Sequence, residues 1–155
     1  MVRKKIRIYI DSSVIGGCLD REFSEESNRL IEAAKAGKFT FVISDLVSKE
    51  IGRAPKNVRQ IISSIPAVAI EALQESPAVL ELARAYIAEK VIGASSLNDA
   101  IHVAYATVAR VDAIVSWNFK DLVRLDHIKG FNRVNFTNGY GLIQIVSPKE
   151  VLFNE

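Results

Sequence analysis

A helix with almost no polar face, leading through a short turn into a buried strand, is the feature that most narrows what this chain can fold into. The stretch Ser96-Leu97-Asn98-Asp99-Ala100-Ile101-His102-Val103-Ala104-Tyr105-Ala106 reads as the helix, and Val111 to Asn118 as the turn and strand. Ala100, Val103 and Ala104 belong to a helix enclosed in the middle of a domain rather than laid on its surface. One carboxylate, Asp99, stands in its first turn. Ser96 and Asp99 have the spacing of a capping box, which would explain the acid without any chemistry. The strand ends at Ser116-Trp117-Asn118, so two more oxygen-bearing side chains open into the same space. Partners elsewhere in the chain decide between cap and chemistry.

The rest of the chain alternates strands with helices. Ile6 to Ile10 is β-rich and stops at Asp11-Ser12-Ser13, which puts Asp11 at a strand's carboxyl end, where parallel α/β sheets bind ligands. A cap for the next turn is the competing reading of Asp11. Ser24-Glu25-Glu26 opens a helix closed by Gly37, and Phe39 to Ile43 is a second strand. Ser44 to Ile51 follows as a short helix with Glu50 near its end, either aimed along the sheet edge or simply solvated. Pro55 to Ile65 is a weaker helix, Val68 to Ile70 a brief strand, and Ser76-Pro77 a strong helix start. Beyond the central stretch, Phe119 to Leu125 reads as a helical turn, Ile128 to Asn138 as a helix and Leu142 to Val146 as the last strand. Ser147-Pro148-Lys149-Glu150 then has the pattern of a second capping box. No repeat or linker interrupts residues 1–155, so the expectation is one α/β domain.

Composition limits the function only loosely. A net charge of +2 over 155 residues permits a polyanionic partner without requiring one. Cys18, the single cysteine, rules out an internal disulfide or a cysteine zinc site and suits a reducing, cytoplasmic compartment. Arg3-Lys4-Lys5 precedes an apolar run far too short for a signal peptide or a membrane span.

Asp11 follows the first strand, Glu50 the second, and Asp99 opens the helix before the next convincing strand. If those strands are parallel neighbours, the three acids gather at one edge, and their mutual repulsion calls for a cation. Hard oxygen donors without cysteine or a histidine pair select Mg²⁺ or Mn²⁺, which can activate water and bridge to phosphate.

Ile8-Tyr9-Ile10-Asp11-Ser12-Ser13-Val14-Ile15, Ser44-Asp45-Leu46-Val47-Ser48-Lys49-Glu50-Ile51 and Asn98 to Ala106 resemble, in order and hydrophobic frame, the three acidic motifs of PIN domains. The resemblance runs from about Ile6 to Asp121. It implies a three-layer α/β/α fold with a mainly parallel central sheet and metal-dependent ribonuclease activity. Small members of the family include VapC-like toxins held inactive by an antitoxin. Carried over, Asp11, Glu50 and Asp99 become metal ligands and Ser13 a supporting polar residue. Water on the metal would cut the phosphodiester in line, leaving 5′-phosphate and 3′-hydroxyl ends. The fourth family acid is replaced: Ser116-Trp117-Asn118 offers an amide, which can coordinate through its carbonyl oxygen but removes a charge. Asp121, one turn later, is the candidate substitute.

Other residues carry two readings each. His102, one turn from Asp99, is a donor behind the ligands or a proton shuttle, set against a packed core histidine. Trp117 and Phe119 stack on a base or fill the core. Arg53, Lys120 and Arg124, like Lys56 and Arg59, meet RNA phosphates or are solvated surface charge. The partners this implies are RNA, a small antitoxin protein and a second copy of the chain. The alternative function is a degenerate PIN domain that binds RNA or protein without cutting, motivated by Asn118. An aspartyl-phosphate enzyme fits less well, because Ser13 stands where its second aspartate belongs.

Overall fold

The computed structural model describes residues 5–151, so the basic residues Arg3 and Lys4 lie outside the described residues. Five strands, β1 (Arg7–Ile10), β2 (Thr40–Ser44), β3 (Ile70–Leu73), β4 (Ala113–Val115) and β5 (Ile145–Val146), form one sheet in the order β3-β2-β1-β4-β5. Every pairing is parallel. Parallel strands covered on both faces read as unbroken apolar runs, and Tyr9, Ile10, Phe41, Val42, Ile114 and Val115 are all fully buried. The expected α/β architecture is therefore present, with its sheet wholly parallel.

Among the described residues seven α-helices flank the sheet: α1 (Ser12–Gly17), α2 (Ser24–Lys35), α3 (Asp45–Gly52), α4 (Lys56–Ser63), α5 (Pro77–Ala88), α6 (Leu97–Val108) and α7 (Leu125–Thr137). Helix α5 packs on α6 and α7, while α1 packs on α2, α3 and α4. The helix read as buried is α6, whose Ala100, Val103, Ala104 and Ala106 are inaccessible to solvent. Among the described residues no helix is long and apolar enough to cross a membrane.

Several local expectations need correction. Ser96 makes no capping hydrogen bond to α6; it sits at the end of a 3₁₀ turn, Ala94–Ser96, and its hydroxyl goes elsewhere. The Phe119–Leu125 segment is, as expected, about one turn, closed by Leu122 N–H and Val123 N–H on the Asn118 carbonyl, and it runs into a helix only at Leu125. Helix α7 starts at Leu125 instead of Ile128, without a side-chain cap to announce it. Val68 lies in a 3₁₀ turn, Ala67–Ala69, and the strand it was expected to join begins at Ile70. Ser147 leads into a 3₁₀ turn, Pro148–Glu150, where its hydroxyl meets Glu150 Oε1 at 3.4 Å.

Four helices finish in a left-handed residue whose successor bonds back five positions, as Val91 N–H does to Tyr86 and Val111 N–H to Ala106. Gly37 and Gly139 take that conformation freely, but Lys90 (φ 61°) and Arg110 (φ 56°) do so against their Cβ atoms. Lys90→Gly is expected to stabilise the fold by about 1 kcal/mol, seen as a higher urea midpoint with an unchanged slope.

Candidate metal and nuclease site

The strand order reverses between β1 and β4, and at such a switch point the chain leaves a crevice above the strand ends. Asp11, the residue after β1, sits in it and is 5 % exposed. Ser13 Oγ donates to Asp11 Oδ1 at 2.5 Å, and Ser116 Oγ, from the end of β4, donates to Oδ2 at 2.6 Å. Both serines are themselves held: Ser13 Oγ accepts from Trp117 N–H at 3.0 Å and Ser116 Oγ from Asn118 N–H at 2.9 Å. Burial raises the Asp11 pKa, opposed by these two hydroxyls, while the Glu50 charge raises it further.

The second group gathers at the start of α6. Asn118 Nδ2 donates to Asp99 Oδ1 at 3.2 Å, and Asn118 Oδ1 accepts Asp121 N–H at 3.0 Å. The amide that was expected to offer its carbonyl oxygen to a cation thus spends it on the backbone and turns its N–H toward the acid. Asp121 closes on Asp99 and accepts from Ser96 Oγ at 3.3 Å. Asp99 is pushed up to about 6, first by burial, then by its hydrogen bond to Asp121 and that residue's charge, with Asp11 adding to the effect.

The third group centres on Glu50, in the last turn of α3. Its Oε1 accepts from His102 Nε2 at 3.0 Å, and the other ring nitrogen, Nδ1, is 2.6 Å from the Tyr9 hydroxyl. Tyr9 continues to Ser44 Oγ at 2.7 Å. Burial would raise the Glu50 pKa, but hydrogen bonds from His102 and Ser12 hold it below the usual carboxylate value. Sequence reasoning assigned no role to Tyr9, Ser44 or Ser12. The signal for Tyr9 was available, because residues two apart on a strand share a face and Tyr9 precedes Asp11 by two.

The three groups are close enough to feel one another's charge: Asp11 feels Glu50, and Asp99 feels Asp11. Among the described residues, however, no group of three or more His, Cys, Asp or Glu side chains is arranged to hold a metal ion. The donors fit a hard divalent cation in kind, being carboxylate oxygens. Of the basic candidates, Arg53 and Lys120 are exposed, whereas Arg124 is occupied by Asp126 at 2.8 Å and by the Lys120 carbonyl. Trp117 is buried, stacked on Phe23 at 4.2 Å and donating to Ser27, so it is a packing residue; Phe119 is 48 % exposed.

Asp99 gives a stability prediction whose sign follows from its raised pKa. Between about 4 and 6 the unfolded carboxyl is ionised while the folded one still holds its proton, so stability falls as pH rises through that window and is flat above it. In EDTA the wild-type melting temperature should therefore gain on the Asp99→Asn protein as pH drops from 7 to 5, and the variant should melt higher at pH 7. A variant that melts lower at pH 7 would contradict this.

No protein-family model and no curated protein matches the sequence. Solved structures do. VapBC2 from Rickettsia felis, bound to a DNA fragment from its promoter, superposes with a TM-score of 0.57 at 14% identity, covering 90% of this chain and 98% of that one. A toxin–antitoxin complex from Klebsiella pneumoniae superposes with a TM-score of 0.55 at 20% identity over 74% of this chain and 88% of the other. With five parallel strands in the order β3-β2-β1-β4-β5 and helices flanking them, this chain has the PIN-like α/β fold of those toxin–antitoxin structures.

Proposed function

We propose that the protein is a divalent-metal-dependent endoribonuclease of the PIN type, acting as the toxin of a toxin–antitoxin pair. The observation that carries this is Asp11, a buried carboxylate clamped by Ser13 and Ser116 at the switch point, with Glu50 and Asp99 charged beside it. Keeping such charges together destabilises the fold, and a cation offsets that cost. Asp11, Glu50 and Asp99 would hold Mg²⁺ or Mn²⁺, and Asp121 serves as the fourth acid in place of Asn118. The bound cation supplies charge for the scissile phosphate and lowers the pKa of a water.

The chain's own contribution is positional. Ser13 and Ser116 fix both oxygens of Asp11, Asn118 orients Asp99, and Ser96 orients Asp121. Arg53 and Lys120 are the exposed cations for RNA phosphates, with Arg124 available once Asp126 lets go. The likeness to toxin–antitoxin structures supports a small antitoxin as the protein partner. Incubation with mixed RNAs and Mg²⁺ or Mn²⁺ tests the reading: cleavage to 5′-phosphate ends, lost in EDTA and in Asp99→Asn, is expected. Equal cleavage by wild type and variant would refute it. A second reading, a module that binds RNA or protein without cutting, draws on Asn118 and the unassembled metal geometry; retention of RNA with no cleavage in either metal would favour it.

A further inference from the structure

We infer that His102 is a positioning residue for Glu50, fixing one oxygen of that carboxylate and with it the orientation in which the group meets the cation. The inference rests on the metal-dependent reading above and adds to it a residue outside the set of acids proposed to hold the cation. A continuous hydrogen-bonded path runs Ser44 Oγ, Tyr9 OH, His102 Nδ1, His102 Nε2, Glu50 Oε1, with steps of 2.7, 2.6 and 3.0 Å on either side of the ring. Its two ends bracket one helix: Ser44, the last residue of β2, caps the start of α3 by accepting from Val47 N–H, and Glu50 stands in the last turn of α3. The path passes through the central strand β1 and through α6, the helix that carries Asp99. Glu50 is thereby tied to the two elements that bear the other acids.

The proton positions follow from the donors available. An ionised carboxylate only accepts, so His102 Nε2 carries a proton; in the neutral ring Nδ1 then accepts from Tyr9, and Tyr9 accepts from Ser44. All three residues behind Glu50 are buried, with Tyr9 and Ser44 at 0% and His102 at 2% exposure. A histidine that only filled the core could be satisfied by a neutral acceptor. Here its partner is a half-buried carboxylate, the costlier choice, at 3.0 Å.

The test uses the whole chain and reads Mn²⁺ affinity by titration calorimetry, together with long-range ¹H–¹⁵N spectra of the metal-free protein. His102→Leu, which keeps the packing and removes both nitrogens, should bind Mn²⁺ about 10- to 100-fold more weakly. His102→Gln, whose amide can still donate to Glu50, should recover most of that loss. In metal-free wild type, His102 should show the Nε2–H tautomer, and Tyr9→Phe should both alter that signature and weaken Mn²⁺ several-fold. If His102→Leu does not fold, Tyr9→Phe decides alone. Wild-type Mn²⁺ affinity in a folded His102→Leu protein, or in Tyr9→Phe, would overturn the inference. Asp11→Asn serves as the control: loss of Mn²⁺ binding there with none in the His102 variants would remove the positioning role and leave the nuclease reading standing. A wild type that binds no Mn²⁺ would remove both.

Discussion

Asp11→Asn is expected to lower metal-stimulated RNA cleavage by on the order of 10²-fold or more, with the fold intact. Losing a group that merely supports a metal ligand typically costs about 10- to 100-fold, and Asp11 would be a ligand itself. Its two oxygens are held by Ser13 and Ser116, so the isosteric amide keeps its place and one of those hydroxyl contacts while losing the charge. Because burial already raises the Asp11 pKa, the amide also removes a buried charge that the metal-free fold tolerates poorly. The variant should melt at or above the wild type in EDTA, and that separates lost chemistry from lost structure. Initial cleavage rates on a defined RNA, with melting curves beside them, check both halves.

Phe131→Ala is expected to destabilise the protein by about 3–5 kcal/mol, a large part of the roughly 5–15 kcal/mol that holds a domain folded. Phe131 is fully buried on α7 and meets the Tyr86 ring of α5 edge-on at 4.9 Å. The Tyr86 hydroxyl in turn bonds Asn135 on α7 and reaches Thr107 on α6. Emptying the Phe131 site therefore loosens all three helices of one group, including the one that carries Asp99 and His102. Urea unfolding followed by the fluorescence of Trp117, the single tryptophan, measures the loss. Trp117 follows Ser116 directly, so its signal reports the site end of the sheet.

What could be read from the chain beforehand divides along physical lines. Buried parallel strands announce themselves as apolar runs, so β1, β2 and β4 were visible, and with them the places of Asp11 after β1 and Glu50 in the helix after β2. The spacing of small residues marked α6 as enclosed. Side-chain pairing across the fold was not visible: Ser96 and Asp99 have capping-box spacing, yet Ser96 turns to Asp121, twenty-five residues away. Asn118 was read as an oxygen donor, but a free Asp121 N–H three residues on claims that oxygen, a local turn bond that spacing alone does not reveal. Asp121, the candidate substitute, reaches Asp99 from the turn that follows Asn118. The last strand shrank from Leu142–Val146 to Ile145–Val146 because β4, its only partner among the described residues, is itself three residues long. An edge strand's length is set by its neighbour as much as by its own sequence.

Mn²⁺ soaked into crystals and located by its anomalous scattering tests most directly whether Asp11, Glu50 and Asp99 gather around one cation. A peak ligated by Asp11 and Asp99, with Glu50 completing the same site while still held by His102, is the predicted result. No peak at the β1–β4 switch point under saturating Mn²⁺, or a peak there that excludes Asp11, would contradict the account.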